Sequence, residues 1–321
     1  MPDAQKSACG VAEELGPVMR YGAGRSLLEE AERDRNEIVD QVHTGRGVLF
    51  RGYAEVGERA LRDLATLFCP VLSAYEFGST PRSDLGEGVY TSTEYPAHQS
   101  IPLHNEQSYT KVWPTFIWFH ALTVAEQGGE TPLADSRSVY RQIDPAIRER
   151  FANRRLRYVR NYGNGLDVAW EQVFGTEDKA QVEAFCRQRN LGFEWREDDE
   201  LRTWEVCHSE LSHPLLGERV WFNQAHLFHV SALDERTRKT LLSMVDEEDL
   251  PRNVYYGDGS AIESSILSEI RAVYAEEKRL FQWQAGDFLM LDNVLTAHGR
   301  EPFQGERRVA VAMASAPRTA G

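Results

Sequence analysis

Cysteine is scarce in this chain and badly spaced for cross-linking: Cys9, Cys69, Cys186 and Cys207 lie far apart, with no Cys-x-x-Cys pair. That spacing excludes a structural zinc knuckle and a disulfide framework, and leaves reduced, buried thiols as the expectation. Long apolar runs are also missing. The longest, residues 116–122, is interrupted by His120 and is far too short to span a bilayer. The polar, acidic N-terminus has no apolar stretch of signal-peptide type, so the expectation is a cytoplasmic protein with no membrane partner. Lysine is the third shortage, 5 residues against 31 arginines within a net charge of −14. So acidic a chain repels phosphate backbones, which argues against nucleic acid as a partner. Its arginines still offer bidentate donors to small anions.

Present instead is an ordinary globular composition, 41% hydrophobic and 10% aromatic over 321 residues, enough for a large core. Residues 1–24 lack periodicity and read as a partly ordered arm; residues 25–321 read as one domain, with no repeat or linker to divide it. Ser26-Leu27-Leu28-Glu29 has the form of a capping box. Leu28, Ala31, Ile38, Val39 and Val42 then predict a helical stripe ending near Gly45. A short buried strand is expected at 47–52 and a helix through Leu61, Leu64, Ala65 and Phe68, stopped by Pro70. Residues 77–102 read as a long loop with one strand near 89–93. Buried strands are predicted at 116–122, 281–283, 288–291 and 309–313 and a hairpin at 215–223. Helices are expected from Asp144-Pro145 to about Asn153 and over 166–190, 232–245 and 261–277. The pattern is β segments at both ends with a helix-rich insertion between.

The chemistry concentrates at Leu103-His104-Asn105-Glu106. On an extended segment a histidine and a carboxylate two residues apart point to one face, and Tyr109 and Thr110 favour continuing the strand. The pair makes half of a mixed nitrogen–oxygen metal site. By itself so short a motif more often marks a core histidine beside a surface carboxylate. One more histidine would complete the 2-His-1-carboxylate triad that suits Fe(II), and His298 is the candidate, in Asp292-Asn293-Val294-Leu295-Thr296-Ala297-His298, with Arg307-Arg308 beyond it.

Taken together, HNE at 104–106, GGETP at 128–132, WFN at 221–223, GDGS at 257–260 and GDFLMLDNVLTAHGREPFQGERR at 286–308 resemble the Fe(II)/2-oxoglutarate-dependent dioxygenases of the taurine dioxygenase and clavaminate synthase type, with the SyrP-like members of natural-product gene clusters nearest in pattern. The ordered set covers residues 47–315 or so. The resemblance implies a double-stranded β-helix (jelly roll) core with flanking helices. It implies His104, Glu106 and His298 as catalytic iron ligands, and Thr131 and Arg308 on the distal carboxylate of 2-oxoglutarate, with O2 as the oxidant. A buried carboxylate requires a charge-assisted donor. Neighbours on a strand face opposite ways, so only one of Arg307 and Arg308 can serve; the family pattern selects Arg308, with Arg307 as the fallback. Glu106 stands where the commoner pattern has Asp, and its retention argues against the halogenating branch, which has a small residue there.

The activity implied is hydroxylation of an unactivated C–H bond of an amino acid or amino-acid-derived substrate in antibiotic and other secondary metabolism. Desaturation or cyclisation by the same chemistry is the alternative, and a non-catalytic binding jelly roll the alternative of another class. A zinc hydrolase lacks a recognisable general base. Asn161, Tyr162, Trp221, Asn223 and Arg307 are candidate substrate contacts, with Arg82 and Arg300 as candidate partners of a substrate carboxylate. His226 and His229 have the spacing of a one-turn zinc pair without a third ligand; His120 fits a core residue with a backbone partner. Arg148, Arg150, Arg154, Arg155, Arg157 and Arg160 form a basic run, by default a solvated helix face and otherwise a docking surface for an acidic carrier protein.

Overall fold

A computed structural model of the chain describes residues 16–73, 82–93, 95–163 and 165–315. Cys9 and parts of the expected arm and of the 77–102 loop lie outside these. The first strand, β1 (Val18–Tyr21), occupies what the sequence suggested was an arm. It pairs in parallel with β2 (Val48–Arg51). Between them run α1 (Leu27–Arg33) and α2 (Arg35–Thr44), two helices broken at Asp34 where one stripe was expected. Ser26 caps α1 by accepting the Glu29 amide at 3.3 Å, but the returning half of the box comes from Glu55, whose carboxylate accepts the Leu27 amide at 2.6 Å. Helix α3 (Glu58–Phe68) follows, then β3 (Asp84–Gly86), β4 (Val89–Thr91), β5 (Ile101–His104), β6 (Phe116–Thr123), β7 (Gln127–Gly128) and β8 (Leu133–Asp135).

The middle of the chain holds α4 (Ser136–Gln142), α5 (Pro145–Arg154), β9 (Leu156–Tyr162), α6 (Trp170–Phe174), α7 (Lys179–Gln188), β10 (Gly192–Trp195) and β11 (Leu201–Cys207). The hairpin β12 (Glu210–Ser212) and β13 (Arg219–Trp221), α8 (Ala225–Phe228), α9 (Glu235–Met244), β14 (Arg252–Tyr256) and α10 (Ser264–Glu277) complete it. The expected helices are there, together with a four-stranded antiparallel sheet, β10-β11-β9-β14, that the sequence did not announce. The chain closes through β15 (Phe288–Asp292), β16 (Thr296–Arg300), β17 (Phe303–Gln304) and β18 (Arg308–Ala314); residues 281–283 form no strand, although Phe281 and Trp283 pack edge to face at 4.8 Å.

Two sheets make the jelly roll: a major sheet ordered β1-β2-β15-β6-β18-β4-β3 and a minor sheet ordered β5-β16-β8. The side-chain alternation of the central strands builds both cores. Phe116 and Trp118 of β6, Phe288 and Met290 of β15, and Ala310 and Ala312 of β18 pack against α1–α3. Their neighbours Ile117, Phe119, Leu289, Leu291, Val309 and Val311 fill the space towards Leu133 of the minor sheet. Burial on both faces explains why these strands read as unbroken apolar runs. Truncating one such residue, Leu291 for instance, would cost about 2–5 kcal/mol. Cys69, Cys186 and Cys207 are buried free thiols, as expected, and burial pushes Cys69 and Cys186 up to about 11. Among the described residues no helix is long and apolar enough to cross a membrane.

Candidate active site

His104 and His298 are register partners across the β5–β16 ladder, with ring centroids 4.7 Å apart. The ladder shifts register between His298 and Arg300. Gly299 is required there, because a Cβ would run into the Ile101 carbonyl oxygen. Glu106 joins the histidines by a route other than strand alternation. Strand β5 ends at His104, and Glu106 lies in a turn whose next residue, Gln107, has φ +55°; Tyr109 and Thr110, expected to extend the strand, belong to the same irregular stretch. Asn293 holds that turn from both sides. Its Oδ1 accepts the Glu106 amide at 2.6 Å and its Nδ2 donates to the Glu106 carbonyl at 3.0 Å and the Pro114 carbonyl at 2.8 Å. Asn105 in turn donates to the Asn293 carbonyl at 2.6 Å. The result is one ligand atom from each of His104, Glu106 and His298, all within 4.8 Å of one another.

The protonation states suit a metal. His104 Nδ1 faces the Pro102 carbonyl at 2.8 Å; a carbonyl only accepts, so Nδ1 carries the proton and Nε2 is left a lone pair. Burial lowers the pKa of both His104 and His298, keeping the imidazoles neutral. His298 Nδ1 is buried with no hydrogen-bond partner among the described residues. Arg82 donates to Glu106 Oε2 at 2.6 Å, and the two side chains are only 5% and 6% exposed, so the pair is shielded from water. Engaging one carboxylate oxygen leaves the other as a monodentate ligand. Two neutral imidazoles and one such carboxylate fit the donor set of a facial Fe(II) site. A cavity of about 360 Å³ adjoins His104 and Glu106, walled by Tyr95, Tyr109, Leu227, Phe228, Val230 and Leu250 among others.

The two arginines fall the other way round from the family-based choice. Arg308 is exposed and pairs with Glu58 of α3 at 2.7 Å, on the same side of β18 as Ala310 and Ala312. Arg307 has the parity of Val309 and is half-buried; its Nε donates to the Gly129 carbonyl at 3.0 Å. Burial, aided by Arg300, lowers its pKa to about 10. Gly129 makes room at φ +74°, since a Cβ would lie 3.0 Å from Arg307 Cδ. Arg307 lines a polar cavity of about 240 Å³ with Glu130, Trp283 and Val309, and Thr131 accepts the Trp283 indole N–H at 2.9 Å.

The remaining candidates divide. Asn161 is consumed internally, donating to the Glu248 and Leu250 carbonyls and accepting from Arg202. Trp221 is sealed against Phe151, and Asn223 bonds the Ser209 carbonyl and the Ala225 amide. None of these three lines the cavity beside the histidines; Gln224, next in sequence, does. Tyr162 lines a second cavity. Arg300 pins the 95–99 loop through three carbonyls and is not placed for a substrate. His226 turns to the Leu103 carbonyl and His229 to Ser231, so they form no zinc pair. His120 is a core residue between the Gly57 amide and the Asp287 carbonyl, as expected. The basic run divides between α5, which carries Arg148, Arg150 and Arg154, and β9, which carries Arg157 and Arg160; Arg150 pairs with Glu263, Arg154 with Asp258 and Arg160 with Asp167, and Arg157 stacks on Trp204. Sequence reasoning passed over Asn293 and Gln224; the only signal was their place beside motif residues.

Residues 13–313 match the profile of the taurine catabolism dioxygenase TauD, TfdA family. The dapdiamide synthesis protein DdaC of Enterobacter agglomerans is 39% identical over 276 residues, 86% of this chain and 84% of that protein. A clavaminate synthase-like protein of Arabidopsis thaliana is 28% identical over 88% of this chain and 86% of its own length. Among solved structures, an alpha-ketoglutarate-dependent taurine dioxygenase-type protein from Burkholderia xenovorans superposes with a TM-score of 0.52 at 16% identity, over 94% of this chain and 91% of that one. PvcB of Pseudomonas aeruginosa does so with a TM-score of 0.52 at 15% identity, over 98% and 96%. At these identities the superpositions speak for the shared fold alone.

Proposed function

The chain belongs to the TauD/TfdA family, an Fe(II)-, 2-oxoglutarate- and O2-dependent dioxygenase, and from that premise we propose that it hydroxylates an unactivated C–H bond of an amino acid or amino-acid derivative in natural-product biosynthesis. The observation that carries the reading is the convergence of His104, Glu106 and His298, ligand atoms within 4.8 Å, at the end of an apolar cavity. These three are the iron ligands in this reading. Arg307, with Thr131, takes the distal carboxylate of 2-oxoglutarate, the role the sequence pattern had given to Arg308. The name of the relative 39% identical to this chain, dapdiamide synthesis, supports a biosynthetic setting.

Bound iron supplies oxidative decarboxylation of 2-oxoglutarate coupled to oxidation of the substrate C–H bond. The protein's own work is placement. Pro102 fixes the His104 ring and tautomer; Asn293 fixes the Glu106 backbone and Arg82 its outer oxygen. Leu227, Phe228, Val230 and Leu250 keep the substrate side dry, which limits unproductive turnover. The internal pairing of the basic run favours a free substrate over one delivered by an acidic carrier. The test is product mass spectrometry after anaerobic loading with Fe(II), 2-oxoglutarate and a panel of amino acids and their derivatives, followed by O2. Hydroxylation requires succinate and a product that gains one oxygen. A product that loses two hydrogens establishes desaturation or cyclisation instead, and no succinate with any substrate removes the reading.

A further inference from the structure

Behind the cavity that adjoins His104 and Glu106 lies a second one, of about 410 Å³, which the proposed chemistry does not use. Each is of small-molecule size. They share Tyr109, Phe228 and Arg252, so these three side chains form the partition. The rings are packed together: Tyr109 lies 4.9 Å from Phe228 and 6.2 Å from Tyr158, and Phe228 lies 5.3 Å from Tyr158, centroid to centroid. The far chamber belongs to the insertion sheet, and Trp113, Tyr162, Phe174, Phe185 and Trp204 line it. Its remaining wall is the segment that leaves Glu106, through Gln107, Thr110 and Lys111. Both cavities therefore meet on one loop.

The charge of the chamber is opposite to that of the protein. Lys111, Arg160, Arg189 and Arg252 line it against one carboxylate, Glu205, in a chain of net charge −14. Glu205 is 3.8 Å from Lys111. Behind the wall, Asp167 accepts from Arg160 at 3.0 Å and lies 3.9 Å from Arg252. Even with Asp167 counted, positive groups outnumber negative ones. Burial followed by the neighbouring Arg160 lowers the pKa of Arg252, with Asp167 opposing; a bound anion would offset both effects. Aromatic walls with a cation in the partition suit an apolar group attached next to a carboxylate.

We propose that this chamber is a substrate subsite and that the substrate is an N-acyl or peptidyl amino acid. Its α-carbon would sit beside Arg252, which lines both cavities, with three groups branching from it. The carboxylate lies on Arg252, the acyl substituent among Trp204 and Tyr162, and the side chain reaches into the first cavity towards His104 and Glu106. The proposal rests on the dioxygenase reading and names the substrate class of that same site.

The test is calorimetric titration of the iron-free full chain with N-benzoyl-L-alanine, N-benzoyl-L-alaninamide and L-alanine. The benzoyl acid is expected to bind about tenfold or more tighter than its amide, the loss of one charged contact, and tighter than L-alanine by a similar factor. Arg252→Gln should erase the difference between acid and amide. Leu191→Phe, which fills the chamber, should weaken both benzoyl probes about tenfold. Equal affinities for acid and amide, no advantage over L-alanine, or undiminished benzoyl binding in folded Leu191→Phe overturns the proposal. If either variant loses its cooperative thermal transition, the three wild-type affinities decide alone. Because no iron is present, binding without succinate formation in the product assay defeats the dioxygenase reading only, and succinate formation without this binding pattern defeats the subsite only.

Discussion

Two buried groups in this protein have the same formula, two histidines and a carboxylate with ligand-type atoms within 4.8 Å: His104, Glu106 and His298 on one side, His43, His213 and Asp292 on the other. Proximity cannot tell them apart; hydrogen bonding does. His213 Nδ1 accepts the Leu216 amide at 3.1 Å, so its Nε2 bears the proton and donates to Asp292 Oδ2 at 3.0 Å. Asp292 Oδ1 accepts the Val294 and Leu295 amides at 2.8 and 3.1 Å. His213 and Asp292 have thus spent their lone pairs on tying the β12–β13 hairpin to the end of β15, while His43 Nε2 of α2 stands 3.5 Å from Asp292 Oδ2. In the first trio, His104 Nε2 and His298 Nδ1 remain open, and a cavity adjoins His104 and Glu106. A carboxylate and a histidine already satisfied by the fold mark the clamp, and histidines beside an open cavity mark the metal site.

Substitution should separate them most sharply. His104→Ala or His298→Ala is expected to abolish stoichiometric Mn(II) binding, read by electron paramagnetic resonance, with the fold retained. His213→Ala should keep the metal and lower unfolding free energy by about 1–3 kcal/mol, the cost of stranding a buried acceptor, in urea titrations. Loss of metal from a folded His213→Ala protein would break the comparison.

The next effect concerns the cosubstrate. Arg307→Ala should raise the apparent 2-oxoglutarate constant by about a hundredfold or more, because it leaves a buried carboxylate without its charge partner. Arg308→Ala removes a half-exposed pair with Glu58 and should change that constant by less than about threefold. Steady-state kinetics with 2-oxoglutarate varied checks both, and a reversed order would return the role to Arg308.

Asn293 links the two trios, since it follows Asp292 and holds Glu106. Asn293→Ala should weaken Mn(II) binding by about 10–100-fold, the usual consequence of losing a group that orients a ligand, without eliminating it. An unchanged affinity would mean that Arg82 alone sets Glu106.

The smallest effect is a pH dependence of the clamp. Burial would raise the Asp292 carboxyl, but hydrogen bonds from His213 and His43 and from the backbone outweigh it and hold its pKa below the ordinary value. A carboxyl depressed in the fold stabilises the fold above the unfolded carboxylate range near 4 and loses that contribution as pH falls through the native value. Urea midpoints measured from pH 5 downwards should therefore fall less steeply in Asp292→Asn than in wild type, by about one proton. Parallel curves would take Asp292 out of the account.

The sequence by itself determined the iron-ligand candidates and the strands that carry the core. His104, Glu106 and His298 sit in ordered motifs, and β6, β15 and β18 are apolar on both faces because both faces are buried. It determined α5 as well, through Asp144 and Pro145, whose capping needs only neighbours. Tertiary structure decided the rest. The β10-β11-β9-β14 sheet stayed hidden because arginines such as Arg157, Arg160 and Arg202 interrupt its strands, and they become tolerable only when Trp204, Asp167 and Asn161 arrive from elsewhere in the chain. The inward arginine could not be read from the Arg307-Arg308 pair, since a register shift at the start of β18 and the packing of α3 set which parity faces the helices. Likewise, nothing local says that His298 keeps a free nitrogen while His213 does not. That depends on which backbone groups the fold brings to each ring, and a hydrogen bond made across the fold leaves no mark on the residues next to it in sequence.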